Sequence, residues 1–160
     1  MTETPPKVYA DTSVFGGVFD KEFAAPSQAF FQQVEKGFLS LQLSELVQNE
    51  ISPSPEKVRL LFDRTLETAS FLTVTQGALE LRNAYLEAGI LSEKCVADAL
   101  HVALATFHRC DFIVSWNFRH LVHYDKIQMY NRVNNQLGYD DIAIYSPLEV
   151  IPYDNETKDI

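Results

Sequence analysis

The stretch VYADTSVFGG, residues 8–17, joins a short apolar run to an acid, two hydroxyls and two glycines. Asp11 could lie in a solvated loop, because Asp beside Thr12 and Ser13 commonly stabilises a turn. The same order of residues is also expected where a strand ends at a sheet edge and its last side chain binds a metal ion. The two glycines predict that the backbone turns there in either case, so the stretch alone leaves both interpretations open.

Three further polar residues occupy comparable places in the sequence. Glu50 lies late in the helix predicted after the second strand, and Asn117 follows the apolar run DFIVSW. Asp98 is the most informative of the three, because its neighbours are apolar and an unpaired carboxylate is costly to bury. His101 follows Asp98 at i+3, so a helix places both on the same face.

Each of these residues also has an ordinary structural explanation. Glu50 could be solvated, Asn117 could cap a helix, and His101 could be a hydrogen-bonded core histidine. Asp98 could pair with Lys94, four residues earlier, an interaction worth about 0.2–0.5 kcal/mol on a helix surface. Taken one at a time, the ordinary explanation is favoured for all of them except Asp98.

The elements that must position these residues alternate between strands and helices. Strands are predicted at KVYA, FLSLQL, DFIVSW and DIAIYSP, and SFLTVT is either a strand or an extended connection. Ser44 is a predicted N-cap, and Gly37, Gly89 and Gly138 are predicted to end helices. This alternation predicts an α/β fold, a three-layer α/β/α sandwich with a mainly parallel central sheet. Ligands of such folds bind beyond the carboxyl ends of the strands.

The bulk properties narrow the class of protein. The 160 residues predict one domain, residues 1–152, followed by an acidic tail at 153–160. No apolar run reaches the ~18–20 residues that cross a bilayer, and no secretory signal is evident, so we expect a cytoplasmic protein without a membrane association. Cys95 and Cys110 fit no metal or redox spacing. The net charge of −9 argues against a broad phosphate-binding surface, although acids gathered around cations contribute to it.

Four segments together resemble a known family. YADTSVF, SELVQNEI, VADALHVALA and FIVSWNFRHL stand in the order and spacing of a PIN-domain protein. The chain therefore resembles the VapC-type toxin ribonucleases of bacterial toxin–antitoxin pairs, from Val8 to about Ile151. The segment NRVNNQLGYDDIAIYSPLEVI is also similar to the ending of one PIN subgroup.

The resemblance implies a PIN-like fold and assigns roles to individual residues. Asp11 corresponds to the first metal-binding acid, with Thr12 or Ser13 hydrogen-bonding nearby. Glu50 corresponds to the glutamate that follows a serine by six positions, here Ser44. The remaining matches are the metal-binding acid Asp98, with His101 as a supporting residue, and Asn117, which stands where many members carry an aspartate. Because an amide adds no negative charge, this departure puts a second metal ion in doubt.

The chemistry that the resemblance implies is metal-dependent hydrolysis of RNA phosphodiester bonds. Mg²⁺ and Mn²⁺ prefer oxygen ligands, and a bound ion can activate a water and stabilise charge on the phosphoryl oxygens. The partners implied are an RNA substrate, an antitoxin helix on SPEKVRLLFDRTLETA, and a second copy of the chain. Lys94, Arg119 and Lys126 are near the motifs in sequence and are the candidates for substrate contact.

The main alternative is a PIN fold that has lost turnover and serves as an RNA- or protein-binding module. Asn117 and the acidic composition favour that alternative. The presence of Asp11, Glu50 and Asp98 favours the enzyme.

Overall fold

The computed structural model describes residues 4–152, so the acidic tail predicted at 153–160 lies outside the described residues. Within that range, five strands form one parallel sheet in the order β3-β2-β1-β4-β5. The strands are β1 (Lys7–Ala10), β2 (Ser40–Ser44), β3 (Ser70–Leu72), β4 (Phe112–Val114) and β5 (Ala143–Tyr145). The predicted parallel sheet is confirmed, and the ambiguous segment SFLTVT supplies the edge strand β3.

Helices form two groups with the sheet between them. The helices are α1 (Thr12–Gly17), α2 (Ala24–Glu35), α3 (Glu45–Ile51), α4 (Glu56–Leu66), α5 (Gln76–Glu87), α6 (Val96–Phe107), α7 (Tyr124–Gln136) and α8 (Pro147–Val150). Helices α1 to α4 and α8 contact one another, while α5 contacts α6 and α7. The predicted three-layer α/β/α architecture is therefore confirmed. Among the helices of residues 4–152, none has the length and apolar character needed to cross a membrane.

Local signals in the sequence set several of the helix ends. Ser44 is the N-cap of α3, and its Oγ accepts a hydrogen bond of 3.2 Å from the Val47 N–H. Gly37, Gly89 and Gly138 follow the last residues of α2, α5 and α7 at φ values of 82°, 76° and 85°. A left-handed residue just past a helix closes its last carbonyl groups and is usually glycine. These predicted boundaries are confirmed.

The turn predicted at Gly16 and Gly17 is wrong, because both residues belong to the helix α1. Gly17 is needed there for a close approach rather than for a turn. A Cβ atom at position 17 would lie 2.6 Å from Ser27 Oγ and 2.7 Å from Trp116 Nε1. The glycine therefore lets α1 pack directly against a buried hydrogen bond between these two side chains.

The strand order places a crevice between β1 and β4. The chain adds strands on one side of β1 first and then crosses to the other side, so β1 and β4 flank the switch point where ligands of parallel α/β sheets bind. Ala10 is paired with Val114 at the carboxyl ends of these two strands. The next residues, Asp11 and Ser115, consequently lie side by side at this edge of the sheet.

Candidate functional site

Asp11 is held at the switch point by two serine hydroxyls. Its side chain is buried, with a relative exposure of 4%. Ser13 Oγ donates to Asp11 Oδ1 at 2.6 Å, and Ser115 Oγ donates to Asp11 Oδ2 at 2.6 Å. One hydroxyl comes from the first turn of α1 and the other from the residue after β4, so the carboxylate ties these two elements together.

Backbone N–H groups fix the direction of both hydroxyls. Ser13 Oγ accepts from the Trp116 N–H at 2.9 Å, and Ser115 Oγ accepts from the Asn117 N–H at 2.9 Å. Each serine oxygen already accepts a hydrogen bond from a backbone N–H group, so its own hydroxyl hydrogen is directed to Asp11. Each carboxylate oxygen accepts at about two positions, so both oxygens of Asp11 keep capacity for a further ligand.

Burial is the largest influence on the pKa of the Asp11 carboxyl and raises it above the usual value, despite the opposing effects of His101 and the two serine hydrogen bonds. The negative charge of Glu50 adds to the increase. A cation placed beside both acids would remove this penalty, because an opposite charge favours the ionised form.

Glu50 is fixed by two donors from different elements. Thr12 Oγ1 donates to Glu50 Oε1 at 2.5 Å, and His101 Nε2 lies 2.8 Å from the same oxygen. Burial tends to raise the pKa of Glu50, but the hydrogen bond and charge of His101, together with the Thr12 hydrogen bond, bring the pKa below its usual value. The ionised carboxylate is therefore stabilised, and its second oxygen, Oε2, receives no hydrogen bond from the described residues.

A chain of hydrogen bonds supports Glu50 from inside the core. Tyr9 OH lies 2.7 Å from His101 Nδ1 and 2.8 Å from Ser44 Oγ. Because burial raises the pKa of Tyr9 well above its usual value, the phenol keeps its proton. An ionised carboxylate only accepts, so Nε2 of His101 carries a hydrogen and donates to Glu50 Oε1. The chain of contacts therefore runs from Ser44 through Tyr9 and His101 to Glu50.

Asp98 lies in the first turn of α6 and contacts a different histidine. His120 Nδ1 is 2.8 Å from Asp98 Oδ2, and the two side chains are 21% and 27% exposed. His120 Nε2 is 3.8 Å from Cys95 Sγ. Asp98 Oδ1 receives no hydrogen bond within residues 4–152, so the acid keeps one free oxygen and partial contact with water.

Asn117 shapes the loop after β4. Its Oδ1 accepts from the backbone N–H groups of Arg119 at 3.2 Å and His120 at 3.0 Å. This is the capping geometry that Asn commonly adopts, and it fixes the position of the His120 backbone. Through Ser115, the N–H of Asn117 also orients Asp11.

Hydrogen bonds connect most of the predicted site residues to one another, but the Asp98 side chain has a separate partner. Asp11 and Glu50 are linked through the adjacent residues Thr12 and Ser13, and Glu50 is bonded to His101 of α6. Asp98 lies one turn before His101 on that helix, but its side chain is directed to His120. In the described part of the chain, one group of three Cys, His, Asp or Glu side chains has ligand atoms within 4.8 Å of one another, namely Cys95, Asp98 and His120.

Sequence reasoning missed several side chains of this site. Tyr9 and Ser115 lie on or just after strands, and nothing in their local sequence shows which neighbour their hydroxyls reach. Cys95 was considered only for its spacing from Cys110, which carries no information on its contact with His120. A usable signal existed for His120, because it stands three residues after Asn117 in the same turn-forming segment.

The three predicted ligands are of the chemical kind that a hard divalent cation takes, but in the described chain their ligand atoms do not all lie within 4.8 Å of one another. All three predicted ligands are carboxylates, and Asp11, Glu50 and Asp98 each retain an oxygen or a lone pair that the described residues do not use. Mg²⁺ and Mn²⁺ take oxygen ligands of this kind and keep several waters. The hydroxyls and His101 orient the acids in the manner of the outer partners that hold metal ligands in place.

Comparison with known proteins gives matches in structure but not in sequence. No protein-family model matches the chain, and no curated protein matches it. A solved structure of VapBC2 from Rickettsia felis, bound to a DNA fragment from the promoter, superposes with a TM-score of 0.55 at 13% identity. That match covers 88% of this chain and 98% of the other.

Two further solved structures give the same result. FitAB bound to an IR36 DNA fragment has a TM-score of 0.58 at 13% identity and covers 92% of this chain and 99% of the other. FitAcB from Neisseria gonorrhoeae has a TM-score of 0.53 at 12% identity and covers 89% and 99%. At 12–13% sequence identity, a structural match shows a shared fold alone. The resemblance predicted from the sequence is confirmed at that level: the chain has the PIN-like α/β/α fold shared by the VapC- and FitB-type structures.

Proposed function

We propose that the chain is a divalent-metal-dependent ribonuclease that hydrolyses RNA phosphodiester bonds in the cytoplasm and serves as the toxin of a toxin–antitoxin pair. The observation that carries the proposal is the state of Asp11. It is a buried carboxylate at the switch point of the sheet, with two oriented hydroxyls and a second acid beside it. Such an arrangement is costly for the folded protein unless a cation shares it.

The proposed roles follow from the contacts of each acid. Asp11, Glu50 and Asp98 would hold Mg²⁺ or Mn²⁺, and the bound ion would supply activation of a water and stabilisation of charge on the phosphoryl group. Ser13 and Ser115 keep the Asp11 carboxylate in a single orientation. His101, together with Thr12, keeps Glu50 ionised and directed to the same edge of the sheet. Asn117 acts as an orienting residue through its contacts with the loop that carries His120.

An antitoxin partner fits the face formed by α2 and α4. A cavity of about 310 Å³ lies there, lined by residues that include Phe31, Val34, Leu61 and Arg64. The lining also contains the polar residues Glu35, Thr65, Glu67 and Thr68, so an amphipathic helix would contact both apolar and polar side chains there. The similar VapBC2 and FitAB structures are described as bound to DNA. Self-association of the chain remains a prediction by the same analogy.

Cleavage of RNA with and without Mn²⁺ tests the proposed activity. We expect the wild-type chain to cut single-stranded or structured RNA only with the ion, and Asp11→Asn and Asp98→Asn to lose that activity. Asp111→Asn is a matched control, because Asp111 is an exposed acid at the opposite end of β4 and an asparagine can still accept from the Lys7 N–H. Equal activity of Asp11→Asn and Asp111→Asn would contradict the proposal.

Thermal unfolding separates loss of the metal site from loss of the fold. At about 100 times its Kd, Mn²⁺ stabilises the native state by about 2.7 kcal/mol. We expect the corresponding rise in Tm for wild type and for Asp111→Asn, and no rise for Asp11→Asn. Because the isosteric change removes charge from a buried site, Asp11→Asn without metal is expected to remain folded.

A binding module is the second candidate function. The observation in its favour is Asn117, whose Oδ1 is engaged with two backbone N–H groups and which carries no negative charge. Retained RNA binding without Mn²⁺-dependent cleavage, in a chain whose Tm still rises with Mn²⁺, would select this alternative over the ribonuclease.

A further inference from the structure

A cavity lined by basic side chains lies beside the N-terminal end of α6. Its volume is about 520 Å³, and its lining includes Lys94, Arg119 and Lys126. These residues come from three separate parts of the chain, the 3-10 turn before α6, the loop after β4 and the first turn of α7. Their convergence is notable in a chain with a net charge of −9 and only 13 Lys and Arg residues.

The positive charges in this cavity are not neutralised by carboxylates of the described residues. Within residues 4–152, the contacts between basic and acidic side chains at 4.0 Å or less are His101–Glu50 and His120–Asp98, and neither involves Lys or Arg. Lys126 is half-buried, and its Nζ donates to the Ile90 carbonyl at 2.5 Å. A neutral carbonyl fixes the ammonium group without cancelling its charge. The cavity therefore has unmet capacity for an anion.

The cavity opens directly beside the proposed metal centre. Cys95 and His120 belong to its lining, and His120 Nδ1 is 2.8 Å from Asp98 Oδ2. A group bound in the cavity is thus separated from one of the proposed metal ligands by a single imidazole ring.

An anion fits the cavity better than a second cation does. Cys95, Asp98 and His120 offer ligand atoms within 4.8 Å of one another, as a softer metal ion would require. However, Lys94, Arg119 and Lys126 line the cavity and Asp98 does not. A dication inside the cavity would therefore meet like charges at short range rather than a carboxylate. Lys and Arg side chains both bind phosphate groups: Lys acts as a point charge, and Arg donates hydrogen bonds from its planar guanidinium.

We propose that this cavity binds a phosphodiester group of the substrate strand, next to the one that is cleaved. The inference rests on the proposed ribonuclease function, since it concerns where the RNA runs beyond the metal centre. A volume of this size exceeds a phosphate and accommodates a nucleotide. Because phosphate contacts position a strand without reading its bases, the cavity contributes affinity and register rather than sequence preference.

Salt-dependent binding tests the cavity without chemistry. A fluorescently labelled single-stranded RNA is titrated by anisotropy without divalent metal at several salt concentrations. For single strands, the slope of log K against log salt changes by about 0.7 per phosphate contact. We expect Lys94→Ala and Arg119→Ala each to reduce the slope by about that amount, equally for RNAs of different sequence. Lys36→Ala removes one exposed charge from the residue that follows α2 and is expected to leave the slope unchanged.

Steady-state kinetics completes the test. Loss of a remote phosphate contact is expected to raise KM for the RNA with little change in kcat, in Lys94→Ala and Arg119→Ala but not in Lys36→Ala. If all three variants have the same slope and the same KM, the cavity proposal is wrong while the ribonuclease stands. If RNA is bound with the expected slopes but is never cut with Mn²⁺, the cavity stands and the ribonuclease is wrong.

Discussion

The two halves of the candidate site are built in different ways. In the inner half, Asp11 and Ser115 are buried and Ser13 is half-buried, and backbone N–H groups fix both serine donors. The outer half, Asp98 with His120 and Cys95, is partly exposed, and one carboxylate oxygen remains without a partner in the described chain. Both halves present an acid to the same edge of the sheet, yet only the inner one is fully ordered by the protein.

The difference follows from burial. A carboxylate without water must find all its partners in the protein, because the cost of an unpaired buried charge is large. Asp11 therefore depends on the β1–β4 pairing that brings Ser115 beside it. Asp98 keeps contact with water and is attached to a helix end and a loop. The inner half therefore sets the geometry of the site, and the outer half can adjust to the ligand.

The largest contrast is expected between Ser115→Ala and His120→Ala. Ser115→Ala removes the donor to Asp11 Oδ2 and the acceptor of the Asn117 N–H, so we expect Mn²⁺ affinity to fall by about 10–100-fold. His120→Ala removes one partner of an acid that water can solvate, so a smaller loss is expected. Titration followed by electron paramagnetic resonance of free Mn²⁺ measures both affinities.

Ser146→Ala serves as the control for the loss of a buried serine hydroxyl. Ser146 is 3% exposed and precedes α8, where its side chain forms no cap hydrogen bond. We expect its Mn²⁺ affinity to equal that of wild type. A larger loss in His120→Ala than in Ser115→Ala would reverse the assignment of the two halves.

The sequence predicts those parts of the site that depend on local signals. Asp11 at a strand end, the Ser44 cap and the three helix-ending glycines follow from residue types at fixed offsets. The partners of Asp11 do not, because Ser115 reaches it only through a strand pairing across 104 residues. The contact between the Asp98 side chain and His120 likewise depends on the loop that carries His120. Proximity in the fold, rather than sequence spacing, decides such contacts.

The helix α1 shows how tertiary packing overrides a local prediction. Two glycines and the β-branched residues Thr12 and Val14 are poor helix formers, and their sequence predicts a turn. Burial of Val14 and Phe15, with Gly17 against Trp116, stabilises the helix instead. This helix also carries Ser13, so the packing of α1 contributes to the order of the inner half.

Gly17→Ala is expected to disturb the inner half through this packing. The added methyl group meets Ser27 Oγ and Trp116 Nε1, and overpacking of this kind costs about 1–3 kcal/mol. Displacement of Trp116 would also weaken its N–H bond to Ser13, so Mn²⁺ affinity should fall together with stability. Urea unfolding and Mn²⁺ titration measure the two effects on the same samples.

Gly16→Ala is the matched control in the same helix. A Cβ atom at this position meets no atom within 4 Å, and alanine is the better helix former. We expect an unchanged or slightly higher free energy of unfolding and wild-type Mn²⁺ affinity. Equal destabilisation by the two substitutions would show that helix propensity, and not contact with Trp116, decides the effect.

The smallest effect is expected at the end of α6 far from the site. Arg109 has a φ of 60°, the left-handed conformation that glycine supplies after α2, α5 and α7. Its N–H donates to the Thr106 carbonyl, and the Cys110 N–H donates to the Ala105 carbonyl, the same closing pattern that follows those helices. Because a side chain in this conformation is strained, we expect Arg109→Gly to stabilise the fold by about 0.5–1 kcal/mol.

Gly138→Ala is the converse change, because it places a side chain at a left-handed position. A Cβ atom at position 138 meets no atom within 4 Å, so only the φ of 85° disfavours the alanine. We expect a loss of stability of about 1 kcal/mol there, measured by urea unfolding as for Arg109→Gly. Neither change should alter Mn²⁺ affinity, because both act at helix ends outside the two halves of the site. A change in affinity with Arg109→Gly would mean that the far end of α6 controls Asp98, and the outer half would then be as firmly set by the fold as the inner one.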